Sequence, residues 1–177
     1  MNREVNNPNS SIESGDYTQI AYALAVSLGQ KLTHDNYTLA TAESCTGGQL
    51  SAAITSAAGA SAYFNVGVCT YSNESKIRYC SVKSSTISLH GAVSAQVAEE
   101  MANGIRVAAN STYGLATTGI AGPTGGSLSK PIGTVFLGLS TATKTEHLKL
   151  SLTNLSRTDL TACSTIEALK FVLSKLK

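Results

Sequence analysis

Three short polar segments, each directly after an apolar stretch of strand-like composition, constrain the fold of this chain most. They are Glu43–Gly48, Thr70–Lys76 and Thr117–Gly126. In an open α/β sheet, the loops that follow parallel strands gather at the carboxyl edge, where ligands bind. We therefore expect these three segments to converge and to form a site.

Amphipathic helices and apolar strands alternate along the rest of the chain. Apolar spacings of three and four residues predict helices at 17–33, at 94–109 with Ser94 as cap, and from Thr158 onward. Apolar composition predicts strands at 37–42, 66–72 (a buried one), from 113, at 133–140 and at 147–153, with the last two as a hairpin. A further helix should start near Gly47, and Asn73 should cap a helical turn at 73–79. The alternation predicts an α/β fold: a single three-layer α/β/α domain with a mixed, mostly parallel sheet.

Length and composition limit the possible partners. A chain of 177 residues suffices for one domain. We expect 1–16, which is polar and rich in Asn and Ser, to be a disordered tail, and 17–177 to form the domain. No apolar run approaches the roughly 18 residues of a membrane span, and 1–16 lacks the apolar core of a signal peptide. We therefore expect a cytoplasmic protein without a membrane partner.

Charge and composition also disfavour nucleic acid as a partner. The net charge is +2, from 13 basic and 11 acidic side chains, with no basic run, and tryptophan is absent. The four cysteines show no C-x-x-C spacing, so we expect reduced thiols rather than metal ligands. No metal and no cofactor are predicted. The polar segments contain neither a Walker A motif nor G-x-G-x-x-G, which disfavours a P-loop kinase or a Rossmann dehydrogenase.

Ser44 and Lys76 are the candidate nucleophile and base. The three histidines, His34, His90 and His147, lie outside the polar segments, so a Ser-His-Asp triad is weakly supported. A lysine can act as a base when burial lowers its pKa, and serine–lysine pairs occur on unrelated folds. Two structural alternatives stay open from the residues alone: a serine that caps the next helix, and a solvated helical lysine.

Four ordered motifs in the chain resemble the competence/damage-inducible CinA C-terminal domain family. They are AESCTGG at 42–48, TYSNESK at 70–76, TGIAGPTGG at 118–126 and KPIGTV at 130–135. The similarity runs from about Tyr17 to the C-terminus. Stand-alone members of this family include nicotinamide-nucleotide amidases, which hydrolyse nicotinamide mononucleotide to nicotinate mononucleotide and ammonia without a metal.

The resemblance implies a serine nucleophile, Ser44, and a base, Lys76, with Tyr71 also in the catalytic set. It implies that Thr118 and Arg157 assist around the substrate. Backbone N–H groups of Cys45 to Gly48, or of Gly119 to Ala121, would stabilise the oxyanion. The substrate contacts expected on this basis are Glu43, Thr46, Gly47, Gly48, Asn73, Thr118, Gly119, Ala121, Gly122 and Arg157. Whether the chain forms a homo-oligomer is left open.

The segment before the last helix departs from the family pattern. Family members often have Gly-Asp-Arg there and a second arginine one turn later. This chain has Asn154 to Arg157, with Thr161 at the position of the second arginine. An alternative hypothesis therefore stays open, a paralogue of the same fold that binds a nucleotide without hydrolysing it.

Overall fold

The computed structural model describes residues 4–6 and 16–176. Strands and helices alternate up to the third strand, after which three helices and then three strands follow one another before the last helix. The strands are β1 (Glu4–Asn6), β2 (Leu39–Glu43), β3 (Phe64–Cys69), β4 (Tyr113–Gly119), β5 (Thr134–Ser140) and β6 (Thr145–Ser151). The helices are α1 (Asp16–His34), α2 (Gln49–Ser56), α3 (Asn73–Cys80), α4 (Ser84–His90), α5 (Ala95–Ala108) and α6 (Arg157–Leu173). None of the described helices is long and apolar enough to cross a membrane.

One mixed sheet runs through the domain in the order β1-β6-β5-β4-β2-β3. The pairs β1–β6, β4–β2 and β2–β3 are parallel. The pairs β4–β5 and β5–β6 are antiparallel, which confirms the predicted hairpin at 133–153. Since β2, β3 and β4 run in one direction, the segments that follow them emerge at one edge of the sheet.

Apolar side chains cover both faces of the sheet and confirm the three-layer α/β/α architecture. Alternate residues of a strand face opposite sides, so Leu39 and Leu115 pack under α1, α2 and α6, whereas Ala40 and Ala116 pack under α5. The α5 side is close-packed: a Cβ on Gly138 would lie only 2.1 Å from the carbonyl oxygen of Ala98. Helix α5 can therefore lie almost directly on the sheet.

Three local features differ from the predictions. Strand β3 was predicted to be buried, but it is an edge strand with Val66 and Cys69 exposed, because the strand order and not apolar composition decides coverage. Ser72, not Asn73, caps α3, since its hydroxyl accepts from the N–H of Ser75. Helix α4 was missed because it is short and buries none of its residues.

The predicted disordered tail, 1–16, is only partly described. Glu4–Asn6 forms β1 on the outer edge of β6, where unpaired N–H and C=O groups accept a strand of almost any sequence. Asp16 is already the first residue of α1. The remaining residues of this segment, 1–3 and 7–15, lie outside the described residues.

Candidate active site

The three polar segments converge as predicted. Glu43 ends β2, Cys69 ends β3, and the two residues are register partners in a parallel pair. On the other side of β2, Glu43 is the register partner of Thr117 in β4. The N–H of Thr70 extends this arrangement by donating to the carbonyl oxygen of Glu43 at 2.7 Å. The segments after β2, β3 and β4 therefore start side by side.

Ser44 and Lys76 meet at this edge. The Nζ atom of Lys76 donates to Oγ of Ser44 at 2.9 Å, although the residues are 32 positions apart. Nζ also donates to the carbonyl oxygen of Thr70 at 2.6 Å and to that of Tyr71 at 3.4 Å. One turn of α3, capped by Ser72, brings the lysine back toward the end of its own strand. The amine is thus held by fixed backbone acceptors and aimed at the serine.

Lys76 is buried, so the solvated alternative does not hold. Its side chain is 1% exposed, and no ion pair to a carboxylate is found for it among the described residues. Desolvation lowers the pKa of the Lys76 amine from its usual value, because burial penalises the ammonium form. A neutral amine at this position can accept a proton from Ser44.

The Glu43 side chain differs from its predicted role as a substrate contact. It is fully buried, and its carboxylate accepts five hydrogen bonds from within the protein. The donors are Thr46 Oγ1, Gly48 N, Leu50 N, Ser51 N and Ser51 Oγ. Thr46 is also buried, with its hydroxyl bonded to Glu43 and to Thr117. Both side chains are therefore part of the frame of the site, and neither is free to bind a ligand.

The Ser44 loop, residues 44–48, turns sharply into α2. Gly47 and Gly48 have φ of 60° and 103°, a backbone conformation that residues with a Cβ rarely adopt. The N–H of Gly47 donates to the carbonyl oxygen of Ser44, and that of Gly48 donates to Glu43. Of the four N–H groups predicted as oxyanion donors in this loop, those of Cys45 and Thr46 remain as candidates.

Cys45 points away from the serine. Its thiol is buried in the main core cluster, as expected for the neighbour of an outward-facing residue. Burial raises the pKa of the Cys45 thiol to about 12. Because the thiolate is the nucleophilic form, this sulfur is a poor attacking group at neutral pH.

Arg157 and Tyr71 are in contact on the exposed side of the site. Arg157, the first residue of α6, donates to the Tyr71 hydroxyl at 2.9 Å and to the carbonyl oxygen of Gly122. The Tyr71 ring is 62% exposed. The structure thus brings together Arg157, Tyr71 and the glycine-rich loop, residues 120–133. Asn73 is exposed at the start of α3, and Gly119 and Ala121 flank the start of this loop.

The sequence analysis missed a fourth segment, residues 90–94, beside the site. The Thr118 hydroxyl donates to the carbonyl oxygen of Ala92 at 2.9 Å. Lys130 donates to the carbonyl oxygens of His90 and Val93 at 2.6 and 2.7 Å, which ties the glycine-rich loop to this segment. No sequence signal marked it, because it joins two helices and follows no strand. The role of Thr118 as a substrate contact stays a prediction.

A cleft of about 710 Å³ lies away from these residues, between α1, α2 and α6. Its lining includes Tyr17, Tyr22 and several alanines but neither Ser44 nor Lys76. Within 4–6 and 16–176, no group of three His, Cys, Asp or Glu side chains could hold a metal ion. The four cysteines are all free. At the edge of the sheet where the three polar segments meet, Ser44 and Lys76 are arranged as a nucleophile and its base.

Comparison with known proteins gives one family. The model of the CinA C-terminal domain matches residues 21–176. A putative competence-damage inducible protein of Caldanaerobacter subterraneus is 58% identical over 116 residues, which are 66% of this chain and 28% of that protein. A CinA-like protein of Shewanella piezotolerans is 44% identical over 154 residues, 87% of this chain and 36% of that protein. The chain spans about a third of the length of these relatives.

Solved structures match over almost their full length. The competence/damage inducible protein CihA of Agrobacterium tumefaciens has a TM-score of 0.83 at 33% identity, covering 93% of this chain and 98% of that one. A competence-damaged protein (CinA) superfamily protein of Escherichia coli has a TM-score of 0.85 at 30% identity, covering 95% and 96%. The fold described above is shared with these proteins.

Proposed function

Because the chain belongs to the CinA C-terminal domain family, we propose that it hydrolyses the carboxamide of nicotinamide mononucleotide. The products are nicotinate mononucleotide and ammonia. The observation that carries the proposal is the buried amine of Lys76, 2.9 Å from the Ser44 hydroxyl. A serine and a buried amine without a carboxylate partner form a nucleophile and its base, and amide hydrolysis needs both.

Two backbone carbonyls orient the base. In the neutral form of Lys76, the two N–H bonds are directed at the carbonyl oxygens of Thr70 and Tyr71. The lone pair then faces Ser44 and accepts the hydroxyl proton. The serine oxygen attacks the carboxamide carbon, and the resulting oxyanion is stabilised by the N–H groups of Cys45 and Thr46.

The same lysine completes both half-reactions. Lys76 returns its proton to the carboxamide nitrogen, the C–N bond breaks, and ammonia leaves an ester on Ser44. A water molecule then attacks the ester carbon and gives its proton to Lys76. Collapse of the second tetrahedral intermediate releases the carboxylic acid, and the Ser44 oxygen takes the proton back from Lys76. The acid then gives its own proton to ammonia or to solvent and becomes the carboxylate. Atoms and protons balance without a metal ion.

Arg157 and the exposed loops supply substrate recognition in this proposal. The Arg157 guanidinium suits a phosphate, for which planar donors are well matched. On substrate binding it would exchange its bonds to Tyr71 and Gly122 for bonds to the phosphate. The four free cysteines agree with a reducing compartment such as the cytoplasm.

A nucleotide-binding paralogue without activity is the second candidate, and one observation favours it. Thr161, at the position where a second family arginine is expected, is buried, and its hydroxyl donates within α6 to Thr158. This position therefore supplies no cation for a phosphate. In that case the chain would bind nicotinamide mononucleotide through Arg157 and leave the amide intact.

Ammonia release decides between the two. Purified wild type and Ser44→Ala are incubated with nicotinamide mononucleotide, and ammonia and nicotinate mononucleotide are quantified. The proposal requires equal amounts of the two products from wild type and background amounts from Ser44→Ala. Binding of nicotinamide mononucleotide by calorimetry without any ammonia from wild type would overturn it in favour of the paralogue.

A further inference from the structure

Glu43 is a buried carboxylate with an unusually complete set of donors. Oε2 accepts from Thr46 Oγ1 at 2.7 Å, from Gly48 N at 2.9 Å and from Leu50 N at 3.0 Å. Oε1 accepts from the N–H of Ser51 at 2.8 Å and from its hydroxyl at 2.6 Å. Every one of these donors belongs to the Ser44 loop or to the first turn of α2.

The carboxylate caps α2 from the preceding strand. The first N–H groups of a helix have no partner within it, and the Gly48 that precedes α2 has no side chain to supply one. Glu43 accepts from three backbone N–H groups at this end, where the helix dipole also favours a negative charge. The shape of the Ser44 loop therefore depends on where this carboxylate sits.

Glu43 is also connected to the other two segments of the site. Through the Thr46 hydroxyl, its carboxylate is linked to Thr117, two residues before the end of β4. Through its backbone carbonyl, it accepts from the N–H of Thr70, whose own carbonyl accepts from Lys76 Nζ. The nucleophile follows Glu43 directly in the chain, and the base is two hydrogen bonds away.

We propose that Glu43 is a positioning residue that acts through Ser44. Its carboxylate sets the turn of the Ser44 loop, so that the serine oxygen faces Lys76 and the N–H groups of Cys45 and Thr46 face the developing oxyanion. It touches no substrate, because it is fully buried and its oxygens are occupied by protein donors. This inference rests on the proposed amidase function, and it deepens the assignment of that site.

Glu43→Gln is the informative substitution, since glutamine has the same length. All five partners are N–H or O–H donors that point at carboxylate oxygens. An amide places an NH₂ group against at least two of them, so the loop must shift to separate the donors. Displacements near 1 Å around a reacting group can cost about 100-fold in rate.

The test measures the reactivity of Ser44 without substrate. A fluorophosphonate probe labels activated serines, and its second-order rate is compared for wild type, Glu43→Gln and Glu167→Gln. Glu167 is the matched control, a buried carboxylate of α6 paired with Lys170. We expect Glu43→Gln to remain folded by circular dichroism and to label at least about 10-fold more slowly. Glu167→Gln should label at the wild-type rate.

Steady-state kinetics provide the second readout. For nicotinamide mononucleotide, Glu43→Gln should lower kcat at least about 10-fold and change KM less than about threefold, because the residue acts on the nucleophile and not on binding. A folded Glu43→Gln with wild-type labelling and kcat would overturn the inference, and so would a change confined to KM. Labelling of wild type at Ser44 without ammonia release would instead overturn the amidase proposal alone.

Thr46→Val keeps the inference falsifiable should Glu43→Gln fail to fold. The substitution removes one donor to Glu43 and the link to Thr117, and it preserves the buried charge. We expect Thr46→Val to be labelled about threefold or more slowly than wild type, because Glu43 then loses one of its five donors. Thr46→Val with the wild-type rate would overturn the inference. A wild type that is not labelled at all would overturn it too, since there is then no activated serine to position.

Discussion

The two loops that border the site are built in opposite ways. The Ser44 loop and the first turn of α2 are gathered around one buried carboxylate, that of Glu43, with all of its donors inside the protein. In the glycine-rich loop, residues 123–129 are exposed throughout. Side chains hold that loop near its two ends: Lys130 donates to the 90–94 segment, and Arg157 donates to Gly122.

Under the proposed function, this difference separates chemistry from recognition. A nucleophile and its base must keep their geometry to within fractions of an ångström, and burial with complete hydrogen bonding achieves this. A loop that is open to solvent can adapt to a substrate or change between relatives without disturbing the buried pair. Substitutions in the two regions should therefore affect different kinetic parameters.

The largest effect is expected from the buried pair. Ser44→Ala and Lys76→Met should each lower kcat by about 1,000-fold or more, because nucleophile and base act as one unit. For the same reason the double variant should be little worse than either single one. Initial rates of ammonia release from nicotinamide mononucleotide measure this. Losses that multiply in the double variant would show that the two residues act independently.

The second-largest effect is expected at Arg157, on the exposed side of the site, and it concerns substrate binding. Arg157→Ala should raise KM for nicotinamide mononucleotide about 10-fold or more, as for the loss of a charge-assisted bond to phosphate. The change should be much smaller for nicotinamide riboside, which lacks the phosphate. Arg106→Ala is the matched control, because that arginine donates to Ser140 and Asn103 under α5. An equal rise in KM for both substrates would show that Arg157 does not bind the phosphate.

A smaller effect concerns stability and pH. Desolvation lowers the pKa of Lys76 in the folded protein, so between that pKa and the unfolded value of about 10.4 the unfolded chain binds more protons. Relative to Lys76→Met, wild type should therefore gain stability as pH rises through this window, by at most about 1.4 kcal/mol per pH unit. Urea unfolding across that pH range measures the difference in free energy.

Ser44→Ala retains the buried amine and serves as the control for this titration. Its stability should change with pH as that of wild type does. A wild type whose unfolding free energy runs parallel to that of Lys76→Met at every pH would mean that the lysine stays charged in the folded state. The buried pair would then lack the neutral base that the proposed mechanism requires.

The smallest effect is expected at Cys45. Cys45→Ala should keep kcat within about threefold of wild type, since the thiol faces the core and burial raises its pKa to about 12. Iodoacetamide should therefore inactivate wild type slowly or not at all. Rapid inactivation that substrate prevents would transfer the nucleophilic role from Ser44 to Cys45.

The sequence alone was sufficient to predict the helices and strands that have a regular apolar spacing. Apolar spacing gave α1, α5 and α6 and the β5–β6 hairpin, because each of these buries a continuous face. It did not give the sheet order, so the exposure of β3 at the edge was missed. Strand order depends on pairings between residues that are distant in the sequence, and the composition of a single segment does not indicate these pairings.

The sequence predicted the location of site residues that directly follow strands. It did not predict the role of a residue, such as Glu43, that positions another residue of the site. The convergence of Ser44, Tyr71 and Lys76 followed from their positions after parallel strands. Glu43 was predicted to bind substrate, because a carboxylate beside a nucleophile gives no sign of which way it points. Its inward direction comes from the alternation along β2 together with the free N–H groups of α2, and these are visible only in three dimensions.

Trapping of the covalent intermediate tests the central claim most directly. Wild type is mixed with nicotinamide mononucleotide, the reaction is stopped with acid during turnover, and the peptide that contains Ser44 is examined by mass spectrometry. The account predicts nicotinate mononucleotide attached as an ester to Ser44 in wild type and no adduct in Ser44→Ala. Ammonia release that continues in Ser44→Ala, or an adduct on another residue, would contradict the serine–lysine mechanism.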